Sequence, residues 1–502
     1  MYVKTRTLTR EQCYEIYDSG REATVDFIMS LLPLIASIPA MQERIVELSN
    51  KVERLEARNR ELESQKKIDS HNSSKPPSSD GFKRIIKNNR VKSGKPSGGQ
   101  KGHPGTTLIM VDKADHTLLH TVTHCVSCNA DLQHIAVKKI KRRQVFDIPE
   151  IRVAVTEHQA EEKECPRCGV TTSAPFPESA VKAAQYGPNL KAFASLLSLY
   201  QLIPSNRLSE VLEDLFGCKV SEGTLYLWSL GLHEALEGTE EIIKEQIKAS
   251  PLAHVDETGM YCKSHRDWVH VTSTERLTYY AIHPNRGKLA INDIGLLNGY
   301  TGYVVHDCLS QYFSYPFNQV VCNAHILREL KYAFEEEKQL FATKMYKLLN
   351  RANRTVCRAR DRGSTSIAAS TLRAYEREYD RYLALGFKQN PKSARHVVKR
   401  GRVAQTKSFN LLIRLQKHQD AVLAFMYDFA VPFTNNLAER DLRMLKVKQK
   451  IFGAFRSTMG AKIFCRVRGY ISTARKNGVR VFRAIKDAVE RRPFTPVAIY
   501  AK

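Results

Sequence analysis

The first clear pattern of apolar and polar positions is a heptad repeat over residues 38–62. Its two apolar positions are filled by Ile38, Ile45, Val52 and Asn59 and by Met41, Leu48, Leu55 and Leu62. β-Branched residues at the first position with Leu at the second favour a parallel two-stranded coiled coil, and a single Asn fixes its register. We therefore predict that residues 1–70 form N-terminal helices that pair two copies of the chain. The alternative is an amphipathic helix packed on its own protein.

Helical spacing returns at residues 181–248. An apolar stretch at 188–202 is followed by a helix that begins near Pro204 and stops at Gly217, and Ser221 is placed to cap a third helix. Helix, glycine-containing turn and capped helix is the order of a helix-turn-helix, which predicts a DNA-binding domain. An ordinary helical bundle has the same order and remains the alternative.

The pattern changes to strands in residues 249–335. Three apolar runs are spaced as consecutive antiparallel strands, at 252–260, 266–274 and 277–285. A helix-like stretch, a strand ending at Asp307 and a strand that runs into a helix follow. Because this is the order of the ribonuclease H-like fold, we predict an α/β catalytic core of that class, with a helical insertion at 336–430 and its second part at 431–502.

Residues 71–105 are rich in Ser, Pro, Gly and Lys and nearly lack large apolar groups. Such a segment buries too little surface to offset its chain entropy, so it is predicted to be a linker. Its basic side chains also suit phosphate contacts without sequence preference. The predicted contacts are Lys83, Arg84, Arg90 and Lys101. A solvated basic linker is the alternative, and the two roles are compatible.

Two Cys-x-x-Cys pairs stand in residues 106–180, where partial alternation predicts a β-rich, zinc ribbon-like module. The pairs are Cys125 with Cys128 and Cys165 with Cys168. Four thiolates suit one tetrahedral Zn²⁺, and a tight turn after each first Cys, which Gly169 permits in the second pair, points backbone N–H groups at the sulfurs. Four thiolates close the coordination shell, so the predicted zinc is structural. A redox pair or unrelated cysteines are the alternatives.

The 502-residue chain carries a formal net charge of +26, for which nucleic acid is the usual partner. From Lys388 to Lys502 there are 26 Lys and Arg against 6 Asp and Glu. Cysteines at metal-binding spacing in a chain without a signal-peptide pattern indicate a reducing, cytoplasmic compartment. The apolar stretch at 26–40 is short and contains two prolines, so no membrane span is expected.

Asp256 is predicted to end the first strand and Asp307 the fourth, and these strands are neighbours in the ribonuclease H-like sheet. Their carboxylates are therefore expected to meet. Cleaving a phosphodiester, or joining one to a 3′-hydroxyl, is an in-line displacement that two Mg²⁺ ions about 4 Å apart assist. Hard oxygen ligands suit Mg²⁺ or Mn²⁺, so we predict a metal site here. Turn roles for the two aspartates are the alternative.

Glu439 is the predicted third acid. It lies beside a helical face set by the apolar residues 438, 442 and 445, among many cations. In this interpretation Glu439 holds metal while basic residues hold DNA phosphates. The predicted contacts are Arg440, Arg443, Lys446, Lys448, Lys450 and Arg456. The alternative is an i,i+4 ion pair of Glu439 with Arg443, worth about 0.2–0.5 kcal/mol.

Four further residues are predicted to be neighbours of this site. Cys322-x-x-His325 has metal-ligand spacing but is a single pair, so we expect a packed helix start with His325 and Arg328 near the cleft. A catalytic or phosphate-binding role for His325 is the alternative. Asn435 and Asn436 precede the Glu439 helix, where capping is the expected role and orientation of DNA is the alternative.

Together these motifs resemble the insertion-sequence-66 family of bacterial transposases. NSSKPPSSD and GGQKGHPG are similar to its linker motifs and the paired Cys-x-x-Cys to its zinc-binding segment, and HVDET, HDCLSQY, CNAHILRE and NNLAERDLR are similar to its catalytic blocks. The resemblance covers nearly the whole chain and implies a DDE transposase with Asp256, Asp307 and Glu439 as its acids. Aromatic positions expected in some blocks, such as HDCLSQY, differ.

The sequence thus predicts a multidomain α+β protein that cleaves DNA at the ends of an insertion sequence and transfers 3′ ends into target DNA. Expected partners are DNA, a second copy of the chain and the small companion proteins usual for the family, in the nucleoid of a bacterial cytoplasm. The alternatives are a nuclease or resolvase of the same fold that does not join ends, a DNA-binding regulator without chemistry, and an inactive copy.

Overall fold

The computed structural model describes residues 8–66, 102, 105, 107–149, 151–392 and 405–497. The chain divides into two units, one with residues 1–88 and 328–343 and the other with residues 89–327 and 344–502. Nearly all of the 71–105 linker lies outside the described residues. So do its predicted DNA contacts Lys83, Arg84, Arg90 and Lys101.

Two helices form the described N-terminal part: α1, Arg10–Asp18, and α2, Arg21–Lys66. A capping box opens α1, in which the hydroxyl of Thr9 accepts from the N–H of Gln12 and the Gln12 side chain accepts from the N–H of Thr9. The predicted long helix is confirmed, since α2 has 46 residues. Its exposed heptad residues include Ile38, Met41, Ile45, Leu48, Val52 and Leu55. Pairing with a second copy stays a prediction.

Part of α2 has the length and composition of a membrane span. Among the described residues, Arg21–Glu53 has a mean hydropathy of 1.7 in its most apolar window and none of that window is buried. Core helices of soluble proteins and signal sequences meet the same criterion. The sequence-based expectation that no segment spans a membrane, argued from Pro33 and Pro39, therefore stays a prediction.

Residues 107–187 form little regular structure within their described part. Strands β1, Glu162–Glu164, and β2, Thr171–Ser173, pair antiparallel, and an isolated bridge joins His124 to Asp131. The prediction of a β-rich module is wrong beyond these short ladders. Apolar side chains left exposed include Val126, Val145 and Val155. An alternating pattern forms a stable sheet only where its apolar face is covered, and here the described residues do not cover it.

Four helices follow: α3, Pro188–Ser195, continued by a π-helical turn at Leu196–Tyr200; α4, Ser205–Phe216; α5, Glu222–Ala235; and α6, Glu237–Lys248. Gly217 ends α4 with a φ of 63°, and the hydroxyl of Ser221 caps α5 by accepting from the N–H of Thr224. These predicted boundaries are confirmed. Leu232 shares a buried cluster with Ile463, so this segment packs on C-terminal helices. Its DNA-binding role stays a prediction.

A five-stranded mixed sheet forms in the larger unit. Its strands are β3, Leu252–Cys262; β4, His265–Ser273; β5, Thr278–His283; β6, Tyr303–His306; and β7, Asn318–Val321. The order is β5-β4-β3-β6-β7, antiparallel from β5 to β3 and parallel from β3 to β7. Helix α7, Lys288–Ile294, lies between β5 and β6, and α8, Asn323–Glu335, follows β7. The predicted succession of elements is confirmed, with the first and fourth strands as neighbours.

The first strand extends further than predicted. Asp256 lies within β3 and not at its end, because antiparallel pairing with β4 continues to Cys262, opposite His265. Parallel pairing of β3 with β6 stops at His254. It is therefore the neighbouring strand, and not β3 itself, that ends beside Asp256.

The helices predicted for residues 336–430 are confirmed. They are α9, Leu340–Asp361; α10, Ala369–Gln389; α11, Lys407–Lys417; and α12, Gln419–Tyr427. The chain continues with α13, Asn436–Phe452; α14, Thr458–Lys476; and α15, Val481–Val489. Buried layers cover both faces of β3: Val255 packs with Ile291 of α7, and Met260 packs with Ala438 and Leu442 of α13.

His270 of β4 makes the stability of this sheet depend on pH. Its ring is buried, and Nε2 donates to the carbonyl of Asn285 at 3.2 Å. Burial, with the charges of His283 and Arg286 acting in the same direction, lowers its pKa to about 4. Unfolded histidine titrates near 6.5, so the folded state binds fewer protons and its stability is lost as pH falls from about 6.5 towards 4.

We expect the variant His270→Gln, which keeps a donor for Asn285, to be less sensitive to acid. Between about pH 7.5 and pH 5, its free energy of unfolding should fall by about 2 kcal/mol less than that of the unsubstituted chain. Urea titrations at the two pH values measure this difference. Equal losses in the two proteins would show that His270 is not the responsible group.

Candidate active site

Asp256 lies in β3, and Asp307 is the first residue after the neighbouring parallel strand β6. β3 and β6 pair with His254 opposite Val305, and the same register carried two residues further sets Asp256 opposite Asp307. Side chains at paired positions project to the same face of a sheet. The two carboxylates also act on each other electrostatically. The structure therefore brings these two acids together.

The turn after β6 fixes the backbone at Asp307. The buried ring of His306 donates from Nε2 to Oε1 of Gln319 at 3.0 Å, and its Nδ1 accepts from the N–H of Cys308 at 3.2 Å. This pairing needs a neutral ring, and burial lowers the pKa of His306 to about 4. Cys308 has a φ of 72°, in the left-handed region that residues other than glycine rarely adopt. A strained residue thus directly follows Asp307.

The junction of β7 and α8 ties the distant end of the chain to the sheet. The N–H of Asn323 donates to the carbonyl of Phe433 at 3.1 Å. The Asn323 side chain donates to the carbonyl of Val422 in α12 at 2.9 Å. The N–H of Asn435 donates to Sγ of Cys322 at 3.1 Å. These bonds fix where α13 begins.

Asn435 does not cap α13 with its side chain, contrary to the expected role. Nδ2 donates to the carbonyl of Val255 at 2.8 Å, and Oδ1 accepts from Nδ1 of His254 at 2.9 Å. It therefore clamps the start of α13 onto β3, next to Asp256. Asn436 is the exposed first residue of the helix. The side-chain amide bonds to β3 in preference to the free N–H groups of its own helix, because both of its partners on β3 are buried.

Glu439 lies in the first turn of α13, beside the β7–α8 junction. Its Oε1 is 3.4 Å from Nε2 of His325 and 3.9 Å from Sγ of Cys322. Within the described part of the chain it forms no ion pair with Arg443, so the alternative surface pairing is not observed. Cys322 is buried at the start of α8, as expected for a packed helix start. Arg328 follows His325 by one turn of α8.

The acids gather in a poorly hydrated site. Burial raises the pKa of Asp256 well above its ordinary value, and the charges of Glu257, Asp307 and Glu439 add to this effect. Oδ1 of Asp307 is buried without a hydrogen-bond partner among the described residues. Crowded negative charge and an unsatisfied carboxylate oxygen suit a hard divalent cation such as Mg²⁺ or Mn²⁺.

The acids do not yet form a closed coordination shell. In the ranges that the structure describes, no three His, Cys, Asp or Glu side chains converge closely enough to hold one metal ion. Glu439 instead contacts His325. The residues fit a divalent cation in charge and chemistry, while Glu439 is turned towards a different partner.

Sequence reasoning missed Glu257. Its fully buried carboxylate accepts at Oε1 from Nε of Arg286 at 2.8 Å and at Oε2 from the hydroxyl of Tyr312 at 3.1 Å. Burial and the charge of Asp307 raise its pKa to about 7, against the opposing effect of Arg286. Arg286 also lies 3.8 Å from Oδ2 of Asp307, so one guanidinium serves two carboxylates. The available signal was an acid on the core face of a strand, directly after Asp256.

Sequence reasoning also missed a nearly buried ion pair that anchors α13 to α14 and β4. Oδ2 of Asp441 is 2.9 Å from Nζ of Lys476 in α14. The hydroxyl of Ser273 donates to the same oxygen at 2.6 Å. Asp441 therefore joins α13, α14 and β4, two residues away from Glu439.

The basic residues predicted to contact DNA differ in placement. The exposed ones are Arg440, Arg443, Lys450 and Arg456. Lys446 is half-buried within electrostatic reach of Asp256. Lys448 does not have an open surface position: Nζ lies 4.0 Å from the ring of Phe452 and 4.7 Å from that of Phe464, and burial lowers its pKa to about 8. Its stem and ammonium group pack against aromatic rings, and its contact with DNA stays a prediction.

Each Cys-x-x-Cys pair forms the same turn. The N–H of Asn129 donates to the carbonyl of Cys125, and that of Gly169 donates to the carbonyl of Cys165. Backbone N–H groups, chiefly those of Cys128 and Arg167, point at the first sulfur of each pair and lower its pKa. Each turn thus fits half of a thiolate metal site. The two halves are not joined in the described residues.

The sequence of this core matches a known family over more than half of the chain. The Transposase IS66 family matches residues 183–463. The chain belongs to this family. Residues 30–108 match a family of unknown function, DUF6444. None of the curated proteins matches the chain in sequence.

The match spans all three acids that the sequence analysis singled out in this transposase. Asp256, Asp307 and Glu439 all lie inside the matched range, whereas both cysteine pairs lie outside it. Transposases act on DNA, which accounts for the net charge of +26.

In this transposase, Asn435→Ala should weaken the joint between α13 and β3. The carbonyl of Val255 and Nδ1 of His254 would lose their partners in a buried place, which costs about 2–4 kcal/mol of unfolding free energy. Asn436→Ala, one residue on and exposed, should change it by less than about 0.5 kcal/mol. Urea unfolding of both variants measures this difference. Similar small losses of unfolding free energy in both would show that Asn435 does not hold α13 on β3.

Proposed function

We propose that this transposase cuts DNA at the ends of a mobile element and joins the freed 3′ ends to target DNA, on a ribonuclease H-like core. The observation that carries the proposal is the meeting of Asp256 and Asp307 on adjacent parallel strands, with Glu439 within electrostatic reach of Asp256. The sheet order, with three antiparallel strands followed by two parallel ones, supports the fold assignment. Hydrolysis and strand joining are both in-line displacements at phosphorus, and one set of acids serves both.

The three acids would hold Mg²⁺ or Mn²⁺. When bound, such ions activate the entering oxygen and stabilise the leaving one. Arg286, paired with Glu257, lies 3.8 Å from Oδ2 of Asp307, while Oδ1 is buried without a hydrogen-bond partner among the described residues and would be available to a metal ion. The exposed cations of α13 would hold the DNA backbone near these acids.

Other parts of the chain would arrange the DNA and the second copy. Two element ends must be processed in one complex, so pairing of two chains through the α2 heptad is part of the proposal. The helices at 188–248 would bind end DNA as a helix-turn-helix, and the basic linker and zinc module would add contacts. Companion proteins encoded with the element are expected to assist.

The variants Asp256→Asn, Asp307→Asn and Glu439→Gln are expected to lose end cleavage and strand transfer by on the order of 10³-fold or more while retaining DNA binding, because each removes a negative ligand. The assay uses pre-cleaved element ends and a plasmid target with Mg²⁺. The matched control is Glu275→Gln, an exposed acid in the β4–β5 turn, which should retain full activity.

Full activity in any one of the three variants would remove that residue from the site. Cleavage of intact ends without joining of pre-cleaved ends would instead identify a nuclease or resolvase. DNA binding without either reaction would identify a regulator or an inactive copy.

We also expect the purified transposase to hold one zinc ion for each chain through its four paired cysteines. Cys128→Ser or Cys168→Ser should lose the metal, measured by elemental analysis, because each removes one of four thiolates. Cys357→Ser, which changes an exposed cysteine outside the pairs, should retain it. Zinc retained in both paired variants would contradict a four-thiolate site.

A further inference from the structure

The β3–β4 hairpin carries an arginine that is held in place without an acidic partner. The guanidinium of Arg266 lies 4.7 Å from the ring centroid of Trp268, two residues further along β4. It also crosses Gly259, which pairs with Trp268: a Cβ at Gly259 would stand 2.6 Å from Nε of Arg266. In the part of the chain that the structure describes, no carboxylate forms an ion pair with Arg266, although the side chain is exposed.

This face of the hairpin carries Glu257. Glu257 lies on the same face of β3 as Gly259, by the two-residue alternation of the strand. Arg286, which pairs with Glu257 and lies 3.8 Å from Asp307, is 4.9 Å from the ring of Trp268. One tryptophan thus contacts both guanidinium groups and joins Arg266 to the edge of the carboxylate cluster.

We propose that Arg266, oriented by Trp268 and Gly259, binds a backbone phosphate of the DNA strand that enters the carboxylate cluster. The inference rests on the proposed function and names a substrate contact for the same site. A planar guanidinium matches a phosphate through two parallel hydrogen bonds. Because stacking on Trp268 fixes the guanidinium before DNA arrives, less side-chain freedom is lost on binding.

Protection from an arginine-specific reagent tests this contact in the full chain. Phenylglyoxal modification of Arg266 is followed by peptide mass spectrometry, with and without a DNA duplex and in the absence of divalent metal. Exposed Arg276, in the β4–β5 turn, is the internal control. DNA is expected to slow modification of Arg266 several-fold and to leave Arg276 unchanged. Equal rates at Arg266 with and without DNA would overturn the proposal.

Inorganic phosphate, at the same concentration of phosphate groups, is the second probe. Weaker protection by phosphate than by DNA is the expected result, since the DNA strand brings neighbouring contacts with it. Equal protection would overturn the proposal, because Arg266 would then belong to a general anion site.

Two variants that keep the positive charge test whether the position and planar shape of the Arg266 guanidinium matter for DNA binding. Gly259→Ala keeps Arg266 but displaces its guanidinium, and Arg266→Lys keeps the charge but loses the planar group. Both are expected to bind DNA several-fold more weakly at low salt. Arg266→Gln should also reduce the slope of log K against log salt concentration by about 1. Arg276→Gln, the matched control, should change neither quantity, whereas unchanged affinity in both charge-conserving variants would overturn the proposal.

The outcomes also separate this inference from the proposed function. End cleavage with unprotected Arg266 would overturn the phosphate contact alone. Protection of Arg266 in a chain that neither cleaves nor joins DNA would support the contact and overturn the proposed chemistry.

Discussion

The crowding of carboxylates in a mostly buried place is the constraint on which the larger unit depends. Burial, and after it the charges of neighbouring acids, raises the pKa of Asp256 and brings that of Glu257 to about 7. Arg286 and Tyr312 compensate Glu257, and His325 contacts Glu439. Asp256 has less compensation than its burial demands. A cation that binds in such a site stabilises it. The same uncompensated negative charge therefore destabilises the site without metal and favours metal binding.

The third acid comes from a distant part of the chain. Polar contacts on both sides of it offset the entropy cost of bringing that part to the sheet. Glu439 lies 117 positions after Cys322, beyond the inserted helices. Closing so long a loop costs entropy, and the closure is held by the Asn435 bonds to β3 and by the Asp441–Lys476 pair. Both lie within four positions of Glu439 and fix the helix from two sides. The acid is therefore positioned by its flanking residues more than by its own contacts.

The sequence predicts the elements of this core well and their polar contacts poorly. The succession of strands and helices, the Gly217 stop and the Ser221 cap follow from local periodicity and local chemistry, which act over a few residues. The neighbouring placement of the first and fourth strands follows from the fold class that this succession indicates. The true end of β3 was missed because Thr258 and Gly259 interrupt the apolar pattern that marks a strand. The roles of Asn435 and Lys448 were missed for a different reason. Their partners are chosen by packing, and the Asn435 bond to Val255 spans 180 positions, which no local pattern encodes.

Asn323 connects the helical insertion to the helix that carries Glu439. Asn323 bonds through its side chain to α12 and through its backbone to the segment just before α13, while His325, two residues on, contacts Glu439. The last inserted helix and the acid-bearing helix are thus anchored at the same short segment. A displacement of α12 would therefore strain the anchor that also sets the position of Glu439.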